Sequence, residues 1–125
     1  MTRSAQKKRR AAYRRGTKGE GRAAALLRLK GYRILERRWR SPVGEVDLIA
    51  KKRHTLVFIE VKARASLKDA AESIVERQRQ RIARAAAAYL AYHPDLEFEN
   101  VRFDAILVAP GRWPQHIEAA WLSAE

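Results

Sequence analysis

Two stretches with the composition of buried strands carry charged residues in their middle. The first, 44–50, places Asp47 among valine, leucine and isoleucine, and the second, 57–62, places Glu60 and Lys62 among valine, phenylalanine and isoleucine. Charged side chains are rarely buried without an opposite charge, hydrogen-bond partners or a metal ion. The fold must therefore bring these three groups to a place where their charges are compensated.

The two stretches are joined by the short basic segment 51–54, which predicts an antiparallel hairpin. Side chains that face each other across such a pair point to the same side of the sheet. A two-residue loop would place Glu45 opposite Glu60, and a four-residue loop would place Asp47 opposite Glu60. Both arrangements gather Asp47, Glu60 and Lys62 on one face, whereas a shift of one residue would separate them.

Two carboxylates on facing strands would lie only about 4.5–8 Å apart, measured between their Cβ atoms. Such a pair repels, which raises the pKa of one member unless a cation neutralises it. Lys62 supplies one positive charge, and a divalent ion would supply two. Oxygen ligands suit Mg²⁺ or Mn²⁺. The alternative is an ion pair of Lys62 with Glu60 or Asp47 on a half-solvated sheet, without a functional role.

The remaining pattern predicts a single α/β domain over residues 16–125, with a mixed β-sheet flanked by helices on both faces. One helix is expected from the capping box 17–20 to Gly31, and another from the capping-box match 73–76 to about His93. Arg102 and Asp104 share a strand face and are expected to pair. The predicted strands are 32–39, 45–51, 55–63, 101–109 and 115–122.

The charge of the chain favours a polyanionic partner. It has 125 residues, with 27 Lys and Arg against 14 Asp and Glu, which gives a net charge of +13. Nucleic acid is the chief candidate, and no apolar stretch is long enough to enter a membrane. Residues 1–15 carry seven basic residues and no acid. They predict either a disordered basic arm that contacts phosphates or a solvated tail.

The chain has no cysteine, so thiolate metal sites are excluded and a cytoplasmic location is expected. Gln78 falls on the sheet-facing stripe of the second helix, where it either reaches the acidic site or is an ordinary core amide. Further basic residues either contact nucleic acid or form solvated faces. They are Lys51, Lys52, Arg53, Arg64, Arg77, Arg81 and Arg84.

An Asp…Glu-x-Lys pattern on a hairpin that follows an N-terminal helix is similar to the core of the PD-(D/E)XK nuclease superfamily. That superfamily includes restriction endonucleases and Holliday-junction resolvases. More narrowly, the chain resembles the YraN-like family of uncharacterised bacterial proteins. The matching segments are 19–20, 31–32, 44–50, 58–64 and 102–104.

This resemblance implies a restriction-endonuclease-like domain and Mg²⁺- or Mn²⁺-dependent hydrolysis of phosphodiester bonds. It assigns Asp47 and Glu60 as metal ligands and Lys62 as the group that orients or activates water. Glu20, otherwise the capping partner of Thr17, becomes a further acid near the metal. Gln78 stands where the family usually has lysine.

DNA, in branched or nicked form, is favoured over RNA as the substrate, and a homodimer would suit symmetric junctions. A non-catalytic nucleic-acid-binding protein that retains the nuclease fold is the main alternative. A basic scaffold for a ribonucleoprotein or repair complex is the third.

Overall fold

The computed structural model describes residues 19–121. The predicted basic arm 1–15, Thr17 of the first capping box and Leu122 of the last predicted strand lie outside this range. The order of the predicted elements is confirmed, with one helix added. The elements are α1 (19–29), β1 (Arg33–Ser41), β2 (Gly44–Lys52), β3 (Thr55–Ala63), α2 (Leu67–Glu72), α3 (Glu76–Tyr92), β4 (Asn100–Val108) and β5 (Gln115–Trp121).

The strands form one mixed sheet in the order β1-β2-β3-β4-β5. All neighbouring strands are antiparallel except β3 and β4, which are parallel. A parallel pair needs a crossover connection, and α2 and α3 provide it between β3 and β4. The predicted mixed α/β architecture is confirmed.

Each face of the sheet is covered by a helix. Ala23, Ala24 and Leu27 of α1 pack on one face, in a buried cluster with Leu48 and Ile59. The other face carries α3, whose buried residues pack in a second cluster on Ile49, Leu56, Phe58 and Phe103. The helical residues of this cluster are Ile82, Ala85, Ala86 and Tyr89. Because both faces are buried, the central parts of β2 (46–50) and β3 (56–63) are apolar except at Asp47, Glu60 and Lys62, and this makes these charged residues stand out.

The second predicted capping box is wrong. Ser73 ends α2 instead of starting α3, and its hydroxyl donates back to the carbonyl of Ala70 at 2.7 Å. Ser66 caps α2 by accepting a hydrogen bond from the Asp69 N–H. α3 follows Val75, which is extended and offers no capping side chain. The capping-box spacing matched by chance because the serine already belonged to the end of a short helix.

The beginning of β2 departs from the regular alternation of side chains between the two faces of the sheet. Strict alternation would place Val46 with Leu48 on the α1 side, but Val46 packs in the α3 cluster. In β1, Arg38 lies between the residues that pair with Leu48 and Val46, and its φ of 53° is left-handed. Gly44 also approaches α3 closely, because a Cβ at this position would lie 2.5 Å from the Arg81 carbonyl oxygen.

Candidate active site

The register between β2 and β3 brings the two predicted acids together. Leu48 pairs with Ile59, and continuing this register by one residue places Asp47 opposite Glu60; both side chains line the same cavity. This is the register expected for a four-residue loop, but the turn has only two residues, since Lys52 already pairs with Thr55. Arg53 makes the tight turn possible by adopting a left-handed φ of 56°.

Asp47 and Glu60 line a small cavity under α3. Its volume is about 70 Å³, and its other lining residues are Glu45, Gln78, Arg81 and Ile82. The Oδ2 atom of Asp47 accepts a hydrogen bond from the Val61 backbone N–H at 2.8 Å. The cavity therefore collects acidic groups that the backbone satisfies only in part.

Burial and mutual repulsion perturb both acids. Burial, together with the nearby charges of Glu60 and Glu20, raises the pKa of Asp47 to about 8, although the Val61 hydrogen bond and the charge of Lys62 oppose the shift. Burial also raises the pKa of Glu60, against the opposing effect of Lys62. A bound divalent cation would favour the ionised form of both carboxyl groups and would have to displace the proton of Asp47.

Lys62 compensates only part of this charge. Its Nζ lies 3.0 Å from Glu60 Oε1, and the two side chains are 8% and 13% exposed. The predicted grouping of Asp47, Glu60 and Lys62 is thus present, with two carboxylates against one ammonium group. Glu20 lies near enough to raise the pKa of Asp47, but Arg38 Nε donates to its Oε2 at 2.5 Å.

Gln78 adds an unsatisfied oxygen to the same cavity. It lies in the first turn of α3, and its Oε1 is buried without a hydrogen-bond partner among the described residues. Leaving a buried acceptor unpaired costs about 1–3 kcal/mol. Two carboxylates and a neutral amide oxygen are the kinds of ligand that hard divalent cations prefer. Over residues 19–121, no three Asp, Glu, His or Cys side chains are arranged to hold a metal by themselves.

The basic residues predicted to contact nucleic acid divide into two groups. Arg64 lies near the acids, because its charge lowers the pKa of Glu60. Three arginines of α3 line a pocket beside the acidic cavity; they are Arg77, Arg81 and Arg84.

By contrast, the segment 51–53 lies at the opposite end of β2, roughly 13–20 Å from Asp47 along the strand. Lys52 there lies over the ring of Tyr32, with its Nζ 5.2 Å from the centroid.

A second buried carboxylate has a complete set of partners. Asp104 is fully buried and accepts two hydrogen bonds from Arg102, at 2.8 and 2.9 Å, as predicted from their shared strand face. It also interacts with His116 Nε2 at 2.7 Å and accepts from the Ala119 N–H at 3.0 Å. The part played by His116 was not predicted, since only the pairing of β4 with β5 brings it to Asp104.

The family model described as "Uncharacterised protein family UPF0102" matches residues 19–108. The chain belongs to this family. UPF0102 is the YraN-like family, so the resemblance drawn from the sequence is confirmed. The matched region includes α1 and all the strands that carry or border the acidic cavity.

Several bacterial UPF0102 proteins are similar to nearly the whole chain. A protein from Bradyrhizobium sp. strain ORS 278 is 59% identical over 111 residues, which are 89% of this chain and 79% of the relative. A protein from Rhodopseudomonas palustris strain BisA53 is 55% identical over 89% of this chain and 85% of its own length. A Nitrobacter winogradskyi protein is 52% identical over 89% of this chain and 94% of its own length.

No helix within residues 19–121 is both long enough and apolar enough to cross a membrane.

Proposed function

We propose that this protein is a Mg²⁺- or Mn²⁺-dependent nuclease that hydrolyses phosphodiester bonds of DNA. One observation carries the proposal: the largely buried Asp47 and Glu60 line one cavity with the unpaired amide oxygen of Gln78, and Lys62 is paired with Glu60 beside it. Lys62 can neutralise only one of the two carboxylates when both are ionised, and the amide oxygen lacks a donor, so the set suits a divalent cation better than it suits a closed core.

Asp47 and Glu60 would hold the ion, and Gln78 Oε1 would supply a further oxygen. The cavity of about 70 Å³ has room for an ion and a few waters, while a nucleotide would have to lie outside it. When bound, the ion supplies Lewis-acid chemistry, which withdraws charge from the phosphate and offsets the repulsion between the carboxylates.

Lys62 would act on the reacting phosphate and water. Its Nζ is held beside Glu60 at 3.0 Å and is almost fully buried, so its position is well defined. The ammonium group can donate a hydrogen bond to the attacking water and stabilise charge that develops on the phosphate oxygens. Glu20 would affect the site through its charge, while Arg38 holds it in place.

The substrate we propose is DNA with a branch or a nick, cleaved in the cytoplasm. Arg64 lies close enough to lower the pKa of Glu60, and the three α3 arginines line the pocket beside the acidic cavity; all four would contact backbone phosphates near the cleaved bond. The segment 51–53 would contact phosphates farther along the strand. A homodimer would present two such sites to a symmetric junction.

The direct test is cleavage of end-labelled DNA by the purified full-length chain. Linear, nicked, flap and four-way-junction substrates would be incubated with Mg²⁺, Mn²⁺ or EDTA. We expect metal-dependent cutting of at least one form and a loss of about 10²–10³-fold in Glu60→Gln. Glu97→Gln, a change of the same kind at an exposed loop position, should cut like the wild type. Cleavage that is independent of metal, or unaffected by Glu60→Gln, would refute the proposal.

The second candidate is a non-catalytic nucleic-acid-binding protein with the same fold. The short Glu60–Lys62 ion pair favours it, because a lysine already paired with an acid needs no substrate. This function predicts DNA binding that survives the loss of both residues but weakens when residues 1–15 are removed.

A further inference from the structure

A pocket of about 330 Å³ opens beside the acidic cavity. One wall is α3, which contributes Arg77, Arg81 and Arg84, and the other is the turn between β1 and β2 together with Arg40 and Glu45. We call this space the arginine pocket. It is several times larger than the acidic cavity, so it can admit a group that the acidic cavity is too small to hold.

The positive charge of the arginine pocket is largely uncompensated. Arg40 pairs with Glu45 at 3.3 Å, and both side chains are exposed. Within residues 19–121, Arg77, Arg81 and Arg84 make no ion pair and no side-chain hydrogen bond, whereas Arg38, Arg79 and Arg102 all have acidic partners. Like charges spaced four residues apart destabilise a helix. The three unpaired arginines of α3 therefore destabilise the helix, and this points to an anionic ligand that offsets their repulsion.

The arginine pocket is fixed in place next to the acids. Arg81 and Glu45 line both the arginine pocket and the acidic cavity, so the two spaces adjoin. Gly44, at the end of the turn, lies against the backbone of α3, where a Cβ would come within 2.5 Å of the Arg81 carbonyl oxygen. This close approach holds the turn against the helix and sets the width of the pocket.

We infer that the arginine pocket is a phosphate subsite, which binds one phosphate group of a nucleic-acid strand next to the phosphate at the acidic cavity. The identity of that neighbouring site rests on the proposed function. A guanidinium group can donate two parallel hydrogen bonds to the oxygens of one phosphate, and several guanidinium groups converge in this pocket. The lining contains no aromatic ring on which a base could stack, among the residues that the structure describes. Recognition is therefore of phosphate and independent of base sequence.

The phosphate could be internal to the strand or a terminal 5′-phosphate, and a binding experiment separates these sources. Fluorescence anisotropy would measure the affinity of the full-length chain for short single-stranded oligonucleotides, with and without a 5′-phosphate, in EDTA. The test variant is Arg77→Gln/Arg84→Gln, which changes only residues of the arginine pocket. The matched control, Arg28→Gln/Arg33→Gln, removes the same charge from exposed positions on α1 and at the start of β1.

We expect the test variant to bind at least about tenfold more weakly than the wild type. The slope of log K against log salt concentration should become shallower by about 0.7 for each phosphate that the variant no longer binds. The control should weaken by less than about threefold, with its salt slope unchanged. If the test variant loses affinity only for the 5′-phosphorylated oligonucleotide, the pocket binds a terminal phosphate. If it loses affinity equally for both oligonucleotides, the pocket binds an internal phosphate. Equal weakening in test and control variants would overturn the inference. Because EDTA abolishes metal-dependent cleavage, binding can confirm the subsite even if the nuclease proposal fails.

Discussion

Asp47 and Asp104 lie two strands apart in the same sheet, and both are largely buried, yet their surroundings affect them in opposite ways. Burial alone would raise the pKa of Asp104, but hydrogen bonds from His116, Arg102 and Ala119 outweigh it and lower that pKa. Asp47 accepts the Val61 hydrogen bond but has two acids nearby, and its pKa rises to about 8. The same residue type is thus kept ionised at one position and kept protonated at the other.

The difference separates a structural carboxylate from one that is available to a ligand. Both oxygens of Asp104 are used within the protein. The residues it contacts tie β4 to β5 and, through the hydrogen bond from Arg102 to the Tyr32 hydroxyl, to the connection between α1 and β1. Asp47 retains acceptor capacity and faces a cavity. A buried acid that the protein itself does not satisfy is a functional-site candidate, while a satisfied one contributes to stability.

The largest expected effect is on stability at Asp104. Asp104→Ala should lower the free energy of unfolding by about 3–5 kcal/mol at pH 7, because it removes the carboxylate that the half-buried Arg102 and the buried His116 side chain both contact. Urea unfolding would measure this change, with Asp95→Ala, at an exposed position, as the control. A decrease below about 1 kcal/mol would show that the Asp104 network contributes little. If Asp104→Ala does not fold, Asp104→Asn is the milder test.

Asp47→Asn should stabilise the protein, but only at higher pH. The folded state of the wild type holds the Asp47 proton up to about pH 8, whereas the unfolded chain releases it near 3.8. The stabilisation that the folded state gains by holding the Asp47 proton is therefore fully present below about pH 4 and is lost as the pH rises towards 8. We expect a gain of about 1–3 kcal/mol for Asp47→Asn at pH 8 and none at pH 4, measured by denaturant unfolding. A gain that is the same at both pH values would contradict this explanation.

Manganese should stabilise the wild type through the acidic cavity. At a free Mn²⁺ concentration ten times the Kd, binding to the folded state adds about 1.4 kcal/mol, and EDTA should reverse it. Thermal unfolding would show the shift, which Asp47→Asn and Glu60→Gln should lose. Glu97→Gln serves as the control and should keep it. Equal stabilisation of all four proteins would indicate binding elsewhere.

The smallest effect should come from the edge of the Asp104 network. Tyr32→Phe removes only the hydroxyl that accepts a hydrogen bond from Arg102 at 2.6 Å. We expect a decrease of about 0.5–1.5 kcal/mol in the free energy of unfolding and no change in metal binding. A change in metal affinity would mean that the Asp104 network and the acidic cavity are coupled.

The acidic cavity could be predicted from the sequence because its geometry is local. Alternation along β2 and β3 and a short connection determine which side chains share a face, so the pattern alone groups Asp47, Glu60 and Lys62. α2 could not be predicted in this way, since six residues are too few to show helical periodicity.

Interactions between distant segments could not be predicted. The interaction of His116 with Asp104 depends on the register of β4 and β5, which shifts between Phe103 and Ala105. The approach of Gly44 to Arg81, which closes one side of the arginine pocket, depends on how α3 packs on the sheet. Spacing along the chain gives no signal for either interaction.

The most direct test of the central claim is X-ray diffraction from crystals grown with Mn²⁺, using the anomalous signal of the metal to locate it. We predict a peak in the cavity between Asp47 and Glu60, within coordination distance of a carboxylate oxygen of each. A cavity that holds no metal at saturating Mn²⁺, with Lys62 still paired to Glu60, would contradict this prediction.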